Sequence, residues 1–294
     1  EEDVVLRILQ AGEPIPLATM GLNERDYNLL LNIISKPYGI VLCVGPTGSG
    51  KTTTLHSVLA HINKPETKIW TAEDPVEITQ RGLRQVQVIP KIGFDFAAAM
   101  RSFLRADPDV IMVGEMRDHE TVSTGIEASL TGHLVFSTLH TNSAPETIVR
   151  LLDMGMDPFN FADALLGVLA QRLVRTLCKS CREPYHPSRA EYDALVRSYA
   201  GNFDALGFPY TEDLVLHKAK GCEKCNNGYK GRTAIVELLE GTDEVKALIQ
   251  SRAVVERIRE QAAKEGMTTL MQDGIRKVFL GSTDIQQVRK VCIK

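Results

Sequence analysis

Basic charge is not in surplus in this sequence: 34 Lys and Arg stand against 37 Asp and Glu, a net of −3. Such a balance gives no general attraction to nucleic acid, although a local basic patch is still allowed. Aromatic residues are few, with a single tryptophan, and none interleave with basic residues as a base-stacking platform requires. No apolar run approaches the ~20 residues of a bilayer-spanning helix. There is no internal repeat and no low-complexity tract. The opening Glu1-Glu2-Asp3-Val4-Val5-Leu6 lacks both an initiating methionine and a basic-then-apolar leader. Val4, Leu6 and Ile8 alternate with Val5, Arg7 and Leu9 as in a strand, so the expectation is a fragment that begins inside one. What is present is ordinary for a folded globular chain: 294 residues, 44% hydrophobic and 24% charged, enough for one large domain or two modest ones.

Six cysteines occur without a secretory leader, so a reducing compartment is expected and structural disulfides are not. Cys43 lies in an apolar run and reads as a buried, inert thiol, while Cys292 carries no signal. The other four form two pairs, Cys178-x-x-Cys181 and Cys222-x-x-Cys225, separated by 40 residues. Each pair supplies two thiolates from one turn, and two such turns make a tetrahedral structural zinc site. Gly221 precedes the second pair, and Gly228 and Gly231 follow it, which allows turns that aim backbone N–H groups at sulfur. Redox dithiols and unliganded cysteines are the alternatives.

Residues 11–39 read as a linker and a polar helix ending at Lys36-Pro37-Tyr38-Gly39. From 40 to about 175, short apolar runs at 40–44, 68–72, 110–113 and 134–137 alternate with helical patterns at 52–61, 96–105, 120–130 and 145–154. Such alternation predicts βαβ units in a mostly parallel sheet. A further amphipathic helix is expected over 159–177, an irregular stretch over 182–221, and helix again from 235 onward, at 245–250, 254–264 and 270–280.

The run Gly45-Pro46-Thr47-Gly48-Ser49-Gly50-Lys51-Thr52-Thr53 fits G-x-x-x-x-G-K-[ST] with a strand before it and a helix after. Its glycines let backbone N–H groups cradle a phosphate at a helix N-terminus. Lys51 would reach the β- and γ-phosphates, and the Thr52 hydroxyl would bind Mg²⁺. Asp109-Val110-Ile111-Met112-Val113-Gly114-Glu115 is an apolar strand ending in a carboxylate, placed to hold metal or polarise a water. The acidic run Glu73-Asp74-Pro75-Val76-Glu77 follows another strand and reads as a second acidic contribution or as a solvated turn. His133 and His140 flank the strand at 134–137, with Ser137, Thr138 and Asn142 nearby. This cluster is either structural or a γ-phosphate sensor.

Together these four segments resemble the ATPases of type II secretion and type IV pilus assembly, in the order Walker A, aspartate box, Walker B and histidine box. The text between them is similar too: Leu104-Arg105-Ala106-Asp107-Pro108-Asp109, Gly114-Glu115-Met116-Arg117-Asp118, and Gln171-Arg172-Leu173-Val174-Arg175. The resemblance covers nearly the whole chain. It implies a RecA-like P-loop NTPase core over 40–177, a tetracysteine zinc-binding subdomain over 178–234 and a C-terminal helical subdomain over 235–294. Residues 1–10 would then be the last strand of a truncated N-terminal domain. It also implies that Glu115 is the principal catalytic acid, that Glu73 and Glu77 position metal and water, and that His140 reports on the γ-phosphate. Arg101 and Arg105 match arginines that act toward a phosphate; as an i, i+4 pair on one helix they also read as surface salt-bridge partners. His56 and Ile78 stand where many members have tyrosine, and neither is expected to touch the chemistry, although His56 could alter how the adenine packs. The two C-x-x-C pairs resemble the secretion and pilus-assembly branches rather than retraction or DNA-transfer ATPases.

The implied function is a homo-hexameric motor hydrolysing Mg-ATP, with structural zinc, on the cytoplasmic side of a bacterial inner membrane. It would push on a membrane platform and cytoplasmic adaptor proteins, with membrane contact only through those partners and no nucleic acid. Two other readings stand beside it: a nucleotide-gated assembly scaffold, which would have no need of Glu115, and a RecA-type nucleic-acid motor. A kinase is disfavoured, since no segment resembles an acceptor site.

Overall fold

A computed structural model of the chain describes residues 13–292. The strand expected over 1–10 lies outside the described residues. The first helix, α1 (Glu24–Ile34), is capped by Asn23, whose side chain accepts from the Asp26 N–H at 2.8 Å. Its buried Leu30, Ile33 and Ile34 face the sheet.

The core alternates as expected: β1 (Gly39–Val44), α2 (Lys51–Ile62), β2 (Ile69–Glu73), β3 (Arg84–Gln87), α3 (Phe96–Leu104), β4 (Val110–Val113), α4 (His119–Leu130), β5 (Leu134–Leu139) and α5 (Ala144–Asp153). α6 (Pro158–Ala164) leads into β6 (Leu165–Leu177), and β9 (Tyr229–Glu240) completes one sheet of order β3-β2-β4-β5-β1-β6-β9. Neighbours within it run parallel except β6 and β9, which are antiparallel. The mostly parallel α/β fold is therefore as expected.

Period-2 alternation along β1 divides the core into two layers. Ile40, Leu42 and Val44 pack on the side covered by α3, α4, α5 and α6. Val41 and Cys43 pack on the other side with α1 and with Leu55, Val58 and Leu59 of α2. Cys43 is indeed buried, and burial pushes its thiol up to about 12.

Three expectations are corrected. Residues 159–177 are not one helix, since only Pro158–Ala164 is helical and the rest is the long strand β6. Leu165–Leu177 lies between β1 and β9, and a strand buried on both faces shows no alternation to distinguish it from a buried helix. The chain is also not helical from 235, because β9 continues to Glu240 and so runs across the boundary expected at 234/235. The helices after it, α8 (Asp243–Gln250), α9 (Val255–Lys264) and α10 (Leu270–Phe279), match the periodic stretches, and α11 (Ile285–Val291) follows.

The stretch over 182–221 is not simply irregular. It holds β7 (Glu183–Tyr185), α7 (Arg189–Tyr199) and β8 (Leu216–Lys218), with β7 and β8 paired antiparallel. It also has a core of its own: Tyr192, Leu195, Tyr199, Phe203 and Leu216 pack against Ile275, Val278 and Phe279 of α10. Several of its rings meet edge to face, as Tyr199 does on Phe203 at 5.5 Å, while Phe208 stacks on Phe279 at 5.1 Å. The partners of this core lie some 80 residues downstream, which hid it from local pattern.

Candidate nucleotide site and cysteine cluster

β1 ends at a loop whose Gly45, Gly48 and Gly50 all have positive φ, at 152°, 78° and 88°. A Cβ at Gly45 would come within 2.5 Å of the Gln171 carbonyl oxygen, and one at Gly50 within 2.8 Å of Gln171 Nε2. The turn therefore needs glycine both for its backbone and for the strand packed beneath it. α2 begins directly after Gly50 with no side-chain cap, which leaves its first N–H groups without a capping oxygen and suited to an anion.

Lys51 folds back over this loop, its Nζ donating to the carbonyls of Gly45 (2.7 Å) and Pro46 (3.1 Å). Burial lowers its pKa below the ordinary lysine range. Ser49 Oγ is buried and has no hydrogen-bond partner among the described residues. That orphaned hydroxyl inside an N–H-rich loop fits a phosphate oxygen.

The carboxyl ends of neighbouring strands complete the site, as expected for an open α/β sheet. Residues 47–53, Glu73, Glu77, Glu115, Thr138 and His140 all line one cavity of about 530 Å³. Thr52 is exposed at its mouth. β5 lies between β1 and β4, and it carries Thr138 and His140 toward Glu115. Thr138 Oγ1 donates to the Gly114 carbonyl at 2.6 Å, and Ser137 Oγ to that of Val113 at 2.8 Å. His140 Nε2 stands 3.6 Å from Glu115 Oε2. His133, at the other end of the strand, bonds to the Ala128 carbonyl and takes no part in the cavity.

Glu73 closes β2 and is almost fully buried. Its Oε1 accepts from Thr71 Oγ1 (2.6 Å) and Gln85 Nε2 (3.0 Å), while Oε2 faces His56 Nε2 at 3.0 Å. Burial alone would raise its pKa, but the donors from His56, Thr71 and Gln85 outweigh it and hold the carboxyl below its ordinary 4.5. The expectation that His56 stands clear of the chemistry is therefore wrong: it is buried and touches a candidate acid. It is not among the residues that line the cavity.

Arg101 and Arg105 do not reach the cavity within this chain. Arg101 pairs with Glu120 on the surface, and Arg105 bonds to Ser102 Oγ at 3.4 Å. The arginines that do line the cavity are Arg117 and Arg232. Arg232 comes from β9, which was expected to be outside the core. Gln171 was noted only as part of a motif, yet it is a central support. Its Nε2 donates to the Ser49 carbonyl (2.7 Å), and its Oε1 accepts from Thr54 Oγ1 (2.7 Å). Arg172 extends the support by donating to the Asn142 carbonyl at 3.2 Å.

The four cysteines converge: the sulfurs of Cys178, Cys181, Cys222 and Cys225 all lie within 4.8 Å of one another. Cys181 and Cys225 are 3.7 Å apart, and Cys222 and Cys225 3.6 Å. A tetrahedron with metal–sulfur bonds of ~2.3 Å has edges of about 3.8 Å, so the cluster could hold a metal ion. The Cys222 N–H donates to Cys225 Sγ at 3.2 Å, consistent with the turn that the surrounding glycines were expected to allow. Gly228 has a φ of 85°, and a Cβ there would collide with Ala219 at 2.6 Å.

Comparison with known proteins gives one consistent picture. The family described as "Type II/IV secretion system protein" matches residues 1–290. A "Type II secretion system protein E" of Pseudomonas aeruginosa is 46% identical over 293 residues, covering 99% of this chain and 56% of that protein. A "Type II secretion system ATPase E" of Vibrio cholerae is 44% identical, with 99% and 56% covered. A "Type IV pilus assembly ATPase PilB" of Myxococcus xanthus is 43% identical, with 98% and 50% covered. The chain thus spans about half the length of these relatives. Among solved structures, the pilus retraction motor PilT with bound ADP superposes with a TM-score of 0.69 at 26% identity, over 98% of this chain and 69% of that one. The ATPase DotB of Legionella pneumophila shares the fold, with a TM-score of 0.69 at 24% identity, over 97% and 67%.

Proposed function

The chain belongs to the type II/IV secretion system protein family, and from that premise we propose that it is the motor portion of an ATPase for type II secretion or type IV pilus extension. The observation that carries this reading is the meeting of Lys51, Thr52, Glu73, Glu77, Glu115 and His140 at one cavity. When bound, Mg-ATP supplies the phosphoanhydride to be cleaved and a cation that spreads its charge. The N–H groups after Pro46, through Thr53, would cradle the phosphates, with Lys51 and Ser49 adding side-chain donors and the Thr52 hydroxyl available to a metal ion. Glu115 accepts the proton of the attacking water or orients that water. Glu73 and Glu77 would position a bound metal ion and water, and His140, beside Glu115, would sense the γ-phosphate.

The exposed Arg101 and Arg105 fit a site shared between subunits, in which a neighbour's arginines complete the charge stabilisation. The chain accordingly acts as a homo-hexamer. The cysteine cluster holds structural zinc, supported by the tetrahedral spacing of its sulfurs and the absence of any non-sulfur ligand in the set. No helix among the described residues is long and apolar enough to cross a membrane. In the motor reading, the protein works at the cytoplasmic face of the inner membrane with platform and adaptor proteins as partners. We also propose the division into a core (40–177), a tetracysteine subdomain (178–234) and a helical C-terminal subdomain (235–294), with β9 shared across the last boundary.

The test is phosphate release by the full-length protein across a concentration series, with sedimentation in parallel. Specific activity is expected to rise as hexamer forms and to fall in Arg101→Ala and Arg105→Ala without loss of nucleotide affinity. A scaffold that turns over no ATP, or activity independent of assembly, would sink the motor reading.

A further inference from the structure

The side chains of His56, Glu73 and Gln85, joined by Gln80 through both its side chain and its backbone N–H, close a hydrogen-bonded ring behind the cavity. His56 on α2 meets Glu73 at the end of β2 through Nε2 (3.0 Å). Its Nδ1 faces Gln80 Nε2 at 2.7 Å. The Gln80 N–H donates to Gln85 Oε1 at 2.7 Å, and Gln85 Nε2 returns to Glu73 Oε1 at 3.0 Å. Gln85 Nε2 also donates to the Ile78 carbonyl at 2.7 Å, which sets the orientation of its amide.

The direction of every bond around His56 follows from one detail. Gln80 Nε2 also donates to the His56 backbone carbonyl at 3.0 Å. A carbonyl only accepts, so the amide group facing His56 is the nitrogen, and Nδ1 is the acceptor of its second hydrogen. The proton facing Glu73 then sits on Nε2 and is donated to the carboxylate. His56 is fully buried and Gln80 nearly so, where an unpaired polar atom is costly.

Every group around the Glu73 carboxyl is therefore a donor: Thr71 Oγ1 and Gln85 Nε2 on one oxygen, His56 Nε2 on the other. A protonated Glu73 would set a hydrogen against a donor, so the ring favours the anion. His56 also lies one turn beyond Lys51 and Thr52 on the same helix. The contact thus fixes the acidic group relative to the phosphate loop itself.

We propose that His56 is a positioning residue, held with its proton on Nε2 by Gln80, that fixes the Glu73 carboxylate at the wall of the nucleotide cavity. Both Glu73 oxygens already accept hydrogen bonds from this ring, so the attacking water is left to Glu115, which among the described residues meets only Arg117 and His140 in ion-pair contacts. This deepens the reading of Glu73 given above and rests on it.

The test compares His56→Phe, His56→Gln and Gln80→Met in the full-length protein, by steady-state ATP hydrolysis at varied ATP and Mg²⁺. Phenylalanine keeps the ring shape and removes the donor. It is expected to lower kcat about tenfold, the scale for losing a hydrogen bond to a charged group. KM for ATP stays within about twofold, because Glu73 acts beyond ground-state nucleotide binding, and the half-saturating Mg²⁺ rises. Glutamine, whose amide nitrogen can stand where Nε2 does, restores most of kcat. Gln80→Met touches neither Glu73 nor the cavity; it unlocks the tautomer and lowers kcat in the same direction, and it carries the test if His56→Phe does not fold.

Wild-type kcat in His56→Phe, or in Gln80→Met where that variant carries the test, overturns the proposal. So does an equal loss in His56→Phe and His56→Gln, which marks a packing role alone. Glu73→Gln separates the two levels. If it turns over normally, the assignment of Glu73 fails and His56 with it. If it is inactive while His56→Phe is not, only the role of His56 fails.

Discussion

Arg117 Nε lies 2.6 Å from Glu115 Oε2, the same oxygen that His140 Nε2 approaches at 3.6 Å. The Arg117 side chain is 73% exposed, so water screens the pair and holding it there contributes about 0–1 kcal/mol. Glu115 is thus met by Arg117 and approached by His140 without being enclosed by them, in contrast to the buried Glu73.

A carboxylate that orients or deprotonates water differs from its amide by charge and basicity rather than shape. Glu115→Gln is expected to lower ATP turnover by about a hundredfold or more while nucleotide affinity stays within a few-fold. Phosphate release and titration with a fluorescent nucleotide separate the two. A variant that still turns over would move the catalytic acid elsewhere.

Gln171 joins the phosphate loop to β6 through Ser49 and Thr54. Methionine would fill a similar volume but leave the Ser49 carbonyl and the Thr54 hydroxyl without this partner. Gln171→Met should cost about 2 kcal/mol of stability, the scale of an unsatisfied buried group, and weaken nucleotide binding several-fold. Denaturant unfolding and equilibrium titration would show both, and unchanged values would mean the loop holds its shape unaided.

Zinc in the cysteine cluster predicts roughly one metal per chain and its loss in Cys222→Ser. The cluster joins the end of β6 to the start of β9, and the excursion between them leans on α10. Chelation should therefore expose cleavage sites within residues 182–221 before the sheet itself unfolds. Elemental analysis with limited proteolysis tests this, and full resistance after metal removal would contradict it.

The depressed pKa of Glu73 ties stability to acid. In the unfolded chain the group titrates near its ordinary 4.5, and in the folded chain below that. Its contribution is fully present above 4.5 and is lost as pH falls through the folded value. Urea midpoints measured downward from pH 4.5 should drop more steeply in the wild type than in Glu73→Gln. Parallel curves would show that the three donors do not favour the anion.

Residues 45–52, the apolar strand before Glu115 and the paired cysteines were legible in the sequence because each is a local device. A glycine turn between strand and helix, or two thiolates on one turn, carries its chemistry within a few residues. The alternation of strands and helices likewise announced a parallel sheet. The long strand β6 was misread because residues 165–177 are buried on both faces, and only β1 and β9 on either side make them a strand rather than a helix.

The same limit explains the other misses. Gln171 supports a loop more than 120 positions earlier, Arg232 enters the cavity on a strand expected to lie outside the core, and Arg101 and Arg105 turn away from it. The sequence by itself determined that a phosphate loop, an acidic strand end and four convergent-capable thiols exist in this chain. Tertiary structure alone decided which side chains hold them, and that His56 grips Glu73. Long-range strand order and the direction of a buried hydrogen bond depend on partners that no local pattern names.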